Sequence, residues 1–357
     1  MSNQNSVLSR LVDYAMGPMR FMNLLSCFEL GIIETVRKAP GGGVTSQEIA
    51  AETETPPDAV EQLLRLMVKE NFLSYDRKST RYAIDGLGHL TDFDLDRITY
   101  GMQMIKTVCL RQLYYLSQSV REQRVVGLRE IYGFDGNFYE ASVKHPELRA
   151  PWSAVMDLLT SMIDPWFLEH VDFKQDSRVL DVAGNTGLGA ILAQQQAQSM
   201  NVHVTCFDLP EKETEALANF YDNDMQSVCS YVGGDVFREP PGGYDIAFVK
   251  HFLEMFNEKD ARHILENIHG ALNPGGELYI LAPIYPDDVR GSNSVDFFPS
   301  YFLGCTMGQG GPQDLATYAT WVEDSGFKVT KRIVQDTSLM PPDVFITYAI
   351  ICGVKDT

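Results

Sequence analysis

Apolar residues recur at helical spacing through the N-terminal stretch, at Leu8, Leu11, Val12, Ala15, Met19, Met22, Leu25 and Phe28, which predicts helix over residues 6–37. Gly17-Pro18 predicts a break or bend in that run, and Gly31 a C-terminal cap. Thr45-Ser-Gln-Glu48 has capping-box spacing and opens another helix. Pro56-Pro57-Asp58 starts a third, with its apolar face at Val60, Leu63, Leu64, Leu66 and Met67. Phe72-Leu-Ser-Tyr75 and Arg81-Tyr-Ala-Ile84 flank a polar turn and predict a hairpin. Two helices followed by a hairpin make residues 41–90 read as a winged helix. Helical spacing then resumes over residues 98–122, with Met102, Met104, Leu110, Tyr114 and Tyr115. It continues through Phe138-Tyr139 and residues 152–167, with Trp152, Val155, Met156, Leu159, Met162, Ile163 and Trp166. Most of these predict core or subunit interface. Met and aromatic residues among them also suit a pocket for a flat apolar ligand.

Near residue 172 the pattern changes to alternating strand and helix. An apolar run ends on Asp181, a small-residue turn follows (Ala183-Gly-Asn-Thr-Gly187), and helix is predicted over 188–200. Strands follow at 202–207, ending on Asp208, and at 231–237, carrying Asp235 and Phe237. Another, at 244–249, leads into Lys250-His-Phe-Leu-Glu-Met-Phe256. A helix over 260–272 stops at Asn273-Pro-Gly-Gly276. A fifth strand spans 277–282, a last helix 313–325, and closing strands 328–334 and 344–353. Such alternation builds a mostly parallel doubly wound α/β sheet that binds ligands at the carboxyl ends of its strands. The expected organisation is a mostly helical domain at 1–171 and a Rossmann-like domain at 172–357.

Charge narrows the partners. The chain has 357 residues and a formal net charge of −19, which opposes binding to nucleic acid or an anionic membrane. The winged helix does not reverse this. From Thr45 to Thr80 there are seven acids against four bases, where a DNA reader shows a basic footprint. The six cysteines form no CxxC pair, so neither a zinc site nor a disulfide framework is expected, and a reducing cytoplasm is the expected compartment. The N-terminus lacks the pattern of a signal peptide, and no apolar run reaches the length of a membrane span.

The turn after Asp181 is not a dinucleotide fingerprint, because Thr186 stands where that motif has its second glycine. An acid closing the strand before the turn suits a cationic ligand. Asp208, at the next strand end, is placed to accept from ribose hydroxyls. Asp181, Asp208 and Asp235 end successive strands and so converge on one edge of the sheet.

These motifs carry a resemblance. Val179-Leu-Asp-Val-Ala-Gly-Asn-Thr-Gly187, Phe207-Asp-Leu-Pro210, Gly234-Asp235 and Asn273-Pro-Gly-Gly-Glu-Leu278, in this order over residues 10–355, resemble the small-molecule O-methyltransferase family. The resemblance implies a winged-helix dimerisation domain joined to a class I Rossmann-like domain. It implies a homodimer, S-adenosylmethionine as cofactor (released as S-adenosylhomocysteine) and a small-molecule substrate; metal ligands have no clear spacing in the sequence, so metal-independent chemistry is expected. The resemblance places the cofactor on Asp181, Gly184, Asn185, Gly187, Asp208, Leu209, Gly234, Asp235, Val236, Phe237 and Lys250. Asp208 would hold the ribose, Asp235 and Phe237 would flank the adenine, and the turn at Gly184 would approach the methionine moiety.

The chain departs from the family at the base. The family's usual His-Asp-Trp after the fourth strand corresponds to Glu254-Met255-Phe256, and its two orienting glutamates correspond to Ala282 and Thr317. Glu254 is therefore the expected catalytic group, or else an exposed cap acid. His251, three residues earlier, is the other catalytic candidate, although its position aims it elsewhere. The aromatic stretch 294–307 resembles the pocket-closing segment of a C-methyltransferase branch. Phe298, Tyr301, Phe302 and Met307 join Trp152 and Met156 as expected substrate contacts. Glycines 304, 308, 310 and 311 predict a mobile loop there. Three chemistries stay open: C-methylation of an aromatic metabolite with Glu254, N- or O-methylation, and a protein of this fold that binds S-adenosylmethionine without methyl transfer. The last would be a pericyclic or decarboxylating enzyme, or a sensor.

Overall fold

The computed structural model describes residues 2–238, 240–286, 294–337 and 346–356, with side chains from Ser6 onward. It divides into two compact units, Met1–Gln103 and Met104–Thr357.

In the first unit, α1 (Ser2–Glu29) continues without a break through Gly17-Pro18. The hydrogen bond that Pro18 cannot donate would have ended on Tyr14, which is 77% exposed, so solvent can take that carbonyl and the helix survives. Gly31 adopts φ 72° and separates α1 from α2 (Ile32–Lys38). After β1 (Val44–Thr45), the Thr45 hydroxyl accepts from the Glu48 amide and Glu48 accepts from the Thr45 amide. This capping box opens α3 (Ser46–Glu52). Pro57 begins α4 (Pro57–Lys69), where its missing N–H has no intrahelical partner to lose. Antiparallel β2 (Leu73–Asp76) and β3 (Arg81–Ile84) complete a three-stranded sheet of order β1-β3-β2. Ile32, Ile49, Val60, Leu64 and Met67 form the centre of the unit's core, so the winged helix is present. α5 (Asp92–Met104) follows.

The second unit opens with a π-helical segment, Ile105–Leu110. Helices α6 (Arg111–Leu113), α7 (Leu116–Glu122), α8 (Val126–Tyr132), α9 (Phe138–Lys144) and α10 (Pro146–Leu168) follow. They precede β4 (Arg178–Val182), α11 (Leu188–Gln196), β5 (His203–Asp208), α12 (Glu213–Asp222), β6 (Cys229–Gly233) and β7 (Tyr244–Lys250). Then come α13 (Glu258–Ala271), β8 (Leu272–Ile284), α14 (Ser294–Thr306), α15 (Leu315–Asp324), β9 (Phe327–Val334) and β10 (Thr347–Lys355). The seven strands order as β6-β5-β4-β7-β8-β10-β9, with β10 antiparallel to both neighbours and the β6-to-β8 side parallel.

The pattern change near residue 172 does not coincide with the boundary between the compact units. Phe138, Leu148, Ile163 and Phe167 share one core with Val179, Phe248 and Tyr279, so the helices before residue 172 belong with the sheet. The expected strand at 344–353 is β10, and residues 344 and 345 lie outside the described residues. The glycines near 308 do not form a free loop. Gly304 lies inside α14, and the Gly311 amide donates to the Glu254 carbonyl at 2.7 Å.

Candidate active site

A cleft of about 550 Å³ opens at the carboxyl ends of β4, β5 and β7. Asp181, Gly184, Asn185, Asp208, Leu209, Gly234, Asp235, Val236, Phe237 and Lys250 all line it. Gly187 does not. It adopts φ 79°, and a Cβ there would lie 2.6 Å from the Phe220 ring, so this glycine serves the packing of α11 on α12. Parallel pairing explains the convergence, since strands in register end together and bring their terminal acids to one edge.

Each part of the lining has a physical cause. Ala183 and Asn185 hold φ of 57° and 50°, a left-handed turn that turns the Asn185 amide onto Asp208 Oδ2 at 2.8 Å. The Leu209 amide donates to Asp208 Oδ1 at 2.7 Å. Burial pushes the Asp208 carboxyl up, and these two amides pull against it. Each oxygen keeps a lone pair for a hydroxyl donor. Glycine is required where the chain approaches the cleft floor. A Cβ on Gly184 would lie 2.6 Å from Cys206 Sγ, and one on Gly234 would lie 2.5 Å from the Phe207 ring. Asp235 accepts from the Phe237 amide at 3.0 Å. The Phe237 ring packs edge-on to Phe256, which packs edge-on to Phe252, an aromatic corner for a flat heterocycle.

Lys250 is fixed by carboxylates. Its Nζ donates to Asp164 Oδ2 at 2.6 Å and lies 3.4 Å from Asp181 Oδ1. Burial works against the ammonium, but the two carboxylates outweigh it and raise its pKa.

Glu254 is buried at 7% exposure on a 3-10 turn, Leu253–Met255, and is not an exposed cap acid. Burial raises its carboxyl to about 8, and its Oε2 has no hydrogen-bond partner. Phe252, Met255 and Phe256 line the cleft, and Glu254 is not part of that lining. Ala282 is buried and apolar, and the Thr317 hydroxyl is engaged with Asp314 at 2.7 Å. In their vicinity stand two buried phenols, Tyr348 opposite Pro283, with no hydrogen-bond partner, and Tyr318 beside Thr317, which interacts with the Gln313 backbone. The pKa of each is raised by burial first and by the Glu254 charge second.

His251 lines the cleft at φ 49°. Its ring stands perpendicular to that of Tyr348, with centroids 5.0 Å apart. Burial and then the Lys250 charge lower its pKa to about 3, so the imidazole is neutral across the physiological range.

Of the expected substrate contacts, Trp152 and Met156 line the cleft. Phe298, Tyr301 and Phe302 are buried in the core behind it, because α14 spends its aromatic face on packing. Tyr301 reaches the lining indirectly, its hydroxyl 3.5 Å from that of Tyr139. Met307 packs on the same core and does not line the cleft.

Four residues were not anticipated. Ser153, Asp157, Thr160 and Asp164 recur on one face of α10 at the spacing of successive helical turns. Asp157 and Thr160 line the cleft. Asp157 Oδ1 accepts from the Thr186 hydroxyl at 2.7 Å and from Asn185 Nδ2 at 3.3 Å. The Ser153 hydroxyl accepts from Lys212 Nζ at 3.0 Å. This polar stripe within an apolar helix was the available signal.

Comparison with known proteins agrees with this geometry. The model of the O-methyltransferase domain matches residues 113–328, and that of the O-methyltransferase dimerisation domain matches residues 12–90. The chain belongs to the O-methyltransferase family. It is 26% identical over 216 residues to the tetracenomycin polyketide synthesis 8-O-methyl transferase TcmO of Streptomyces glaucescens, covering 59% of each chain. It is 21% identical to the L-tyrosine C(3)-methyltransferase of Streptomyces lavendulae, covering 87% of this chain and 84% of that one. Among solved structures, human N-acetylserotonin methyltransferase in complex with SAM superposes with a TM-score of 0.79 at 20% identity, covering 98% of both chains. The mitomycin 7-O-methyltransferase MmcR superposes with a TM-score of 0.82 at 18% identity, covering 99% of both.

The residues present fit S-adenosylmethionine. Asp208 offers a doubly braced carboxylate for the ribose, Phe237 and Phe256 a corner for the adenine, and the glycine-walled floor beside Asp181 room for the amino-acid end.

Proposed function

We propose that this methyltransferase uses S-adenosylmethionine to methylate a small aromatic metabolite, on carbon, with Glu254 as the proton-accepting group. The observation that carries the reading is Glu254, an enclosed carboxyl raised to about 8 and lacking a hydrogen-bond partner for Oε2, at the position where the resemblance puts the family's base. A carboxylate in an apolar enclosure is a stronger base than one in water. Tyr139, Trp152 and Met156 supply the flat apolar wall against which a ring would lie.

The cofactor supplies an electrophilic methyl group and departs as S-adenosylhomocysteine. The chain contributes the rest. Glu254, enclosed behind the Phe252, Met255 and Phe256 lining, draws the proton of a phenol that reaches past that lining and so delocalises charge onto the ortho carbon. Once the methyl is on that carbon, its ring proton passes to the phenolate oxygen and restores the aromatic phenol. Trp152 and Met156 position that carbon. His251, held neutral, adds no charge beside the methyl path. The dimerisation domain and the exposed apolar face of α1 support a homodimer.

The test is methyl transfer to a panel of phenols, anilines and enolisable aromatic ketones, read by product mass and by NMR of the new methyl group. A carbon-bound methyl, lost in Glu254→Gln with unchanged cofactor affinity, is expected. A product carrying its methyl on oxygen or nitrogen would replace the carbon reading, and full activity of Glu254→Gln would remove the base.

A further inference from the structure

Asp164 has no role in the function proposed above, yet it is as enclosed as any charge beside the cleft. It sits on α10 at 0% exposure, against Lys250 at 7% and Asp181 at 0%. Two carboxylates and one ammonium share this enclosure, so the cluster is one positive charge short when both acids are ionised. The shortage has a location. Lys250 donates to Asp164 Oδ2 at 2.6 Å and holds Asp181 Oδ1 only by a longer ion pair of 3.4 Å. Asp181 Oδ1 has only this longer ion pair with Lys250, while Asp181 Oδ2 and Asp164 Oδ1 are buried without a hydrogen-bond partner. Burial of unpaired carboxylate oxygens is costly, which marks them as receivers for a donor that arrives with a ligand.

The way in is open on the cleft side. Asp181 and Lys250 line the cleft, and so do Gly184 and Gly189. A Cβ on Gly184 would lie 3.0 Å from Asp181 Oδ2, and one on Gly189 would lie 2.8 Å from the same oxygen and against the Lys250 ammonium. Only the absence of both side chains leaves this oxygen reachable. Asp164 does not line the cleft, so it acts through Lys250.

We propose that Asp164 is a positioning residue for the amino-acid end of the cofactor: by drawing the Lys250 ammonium to its own carboxylate, it limits the Lys250 pair with Asp181 to Oδ1 and leaves Asp181 Oδ2 to receive the ligand's α-ammonium. Without the Asp164 charge, Lys250 turns onto Asp181, the pair neutralises itself, and the receptor for the ligand cation is lost. This rests on the reading that the cleft binds S-adenosylmethionine.

The experiment is a thermodynamic cycle by calorimetry on the full chain, with S-adenosylhomocysteine and its deaminated analogue titrated into wild type and Asp164→Asn. Asn keeps the shape and removes the charge. In the variant, affinity for S-adenosylhomocysteine should fall about tenfold or more, the scale of a lost charge-assisted hydrogen bond, and affinity for the deaminated analogue should stay within about twofold. A merely structural Asp164 would weaken both ligands alike, and that result would overturn the proposal, as would unchanged binding of both. Should Asp164→Asn fail to fold, Asp164→Ser provides the same comparison. Wild type that binds neither ligand would remove the cofactor reading itself, and the role of Asp164 with it.

Discussion

The Thr186 hydroxyl donates to Asp157 Oδ1 across 2.7 Å, from the turn after β4 to the middle of α10. Asn185 Nδ2 reaches the same oxygen at 3.3 Å. The helix that walls the substrate side is thereby fastened to the turn whose amide braces Asp208. Thr186 is 2% exposed, so removing its acceptor leaves a buried hydroxyl unpaired. Asp157→Ala should lower stability by about 1–3 kcal/mol and weaken S-adenosylhomocysteine several-fold. Urea denaturation and calorimetry measure the two effects separately.

Asp208 is the second point of control. Its oxygens accept from the Asn185 and Leu209 amides, so the carboxylate shapes the turn and also faces the cleft. Asp208→Ala removes both functions and should reduce cofactor affinity by about a hundredfold, while Asp208→Asn, able to accept on one oxygen only, should fall between. Affinity equal to wild type in both variants would mean that the ribose lies elsewhere.

The sheet and its cleft edge were legible in the sequence because strand ends carry their own punctuation. Asp181, Asp208 and Asp235 each close an apolar run, and parallel pairing aligns such ends. The substrate side was less legible. The apolar repeat of residues 152–167 announced a buried helix and masked Ser153, Asp157, Thr160 and Asp164, which use the remaining face. The aromatic run 294–307 looked like a pocket wall, but Phe298, Tyr301 and Phe302 are spent on core packing. Composition cannot separate those two uses, since both require large apolar side chains. Gly17-Pro18 does not break α1, for a different reason: a helix tolerates proline where the freed carbonyl is solvated.

Along α1, Leu8, Leu11, Val12 and Met19 are 53%, 58%, 57% and 72% exposed. An apolar stripe of this length on a surface helix fits a second copy of the chain. Leu8→Asp combined with Leu11→Asp should convert a dimer to a monomer in sizing chromatography, with the thermal transition of the second unit little changed. Wild type that elutes as a monomer at micromolar concentration would exclude α1 as the dimer contact.

Glu254 makes opposite demands on pH for activity and for stability. Its carboxyl rises from 4.5 to about 8 on burial. As a base it is active only when ionised, so kcat/KM should climb about tenfold per pH unit up to about 8 and then level. For stability the folded state holds this proton where the unfolded chain has released it, between pH 4.5 and about 8. Stability therefore declines as pH rises through that window, by an amount on the order of a few kcal/mol at most. Glu254→Gln removes both dependences. It should be slow at every pH, match wild-type stability near pH 4, and exceed it increasingly towards pH 8. Paired pH–rate and pH–denaturation curves read the two together. A variant whose stability parallels wild type across the range would show that the Glu254 carboxyl is ionised in the folded protein, and the base would then owe nothing to burial.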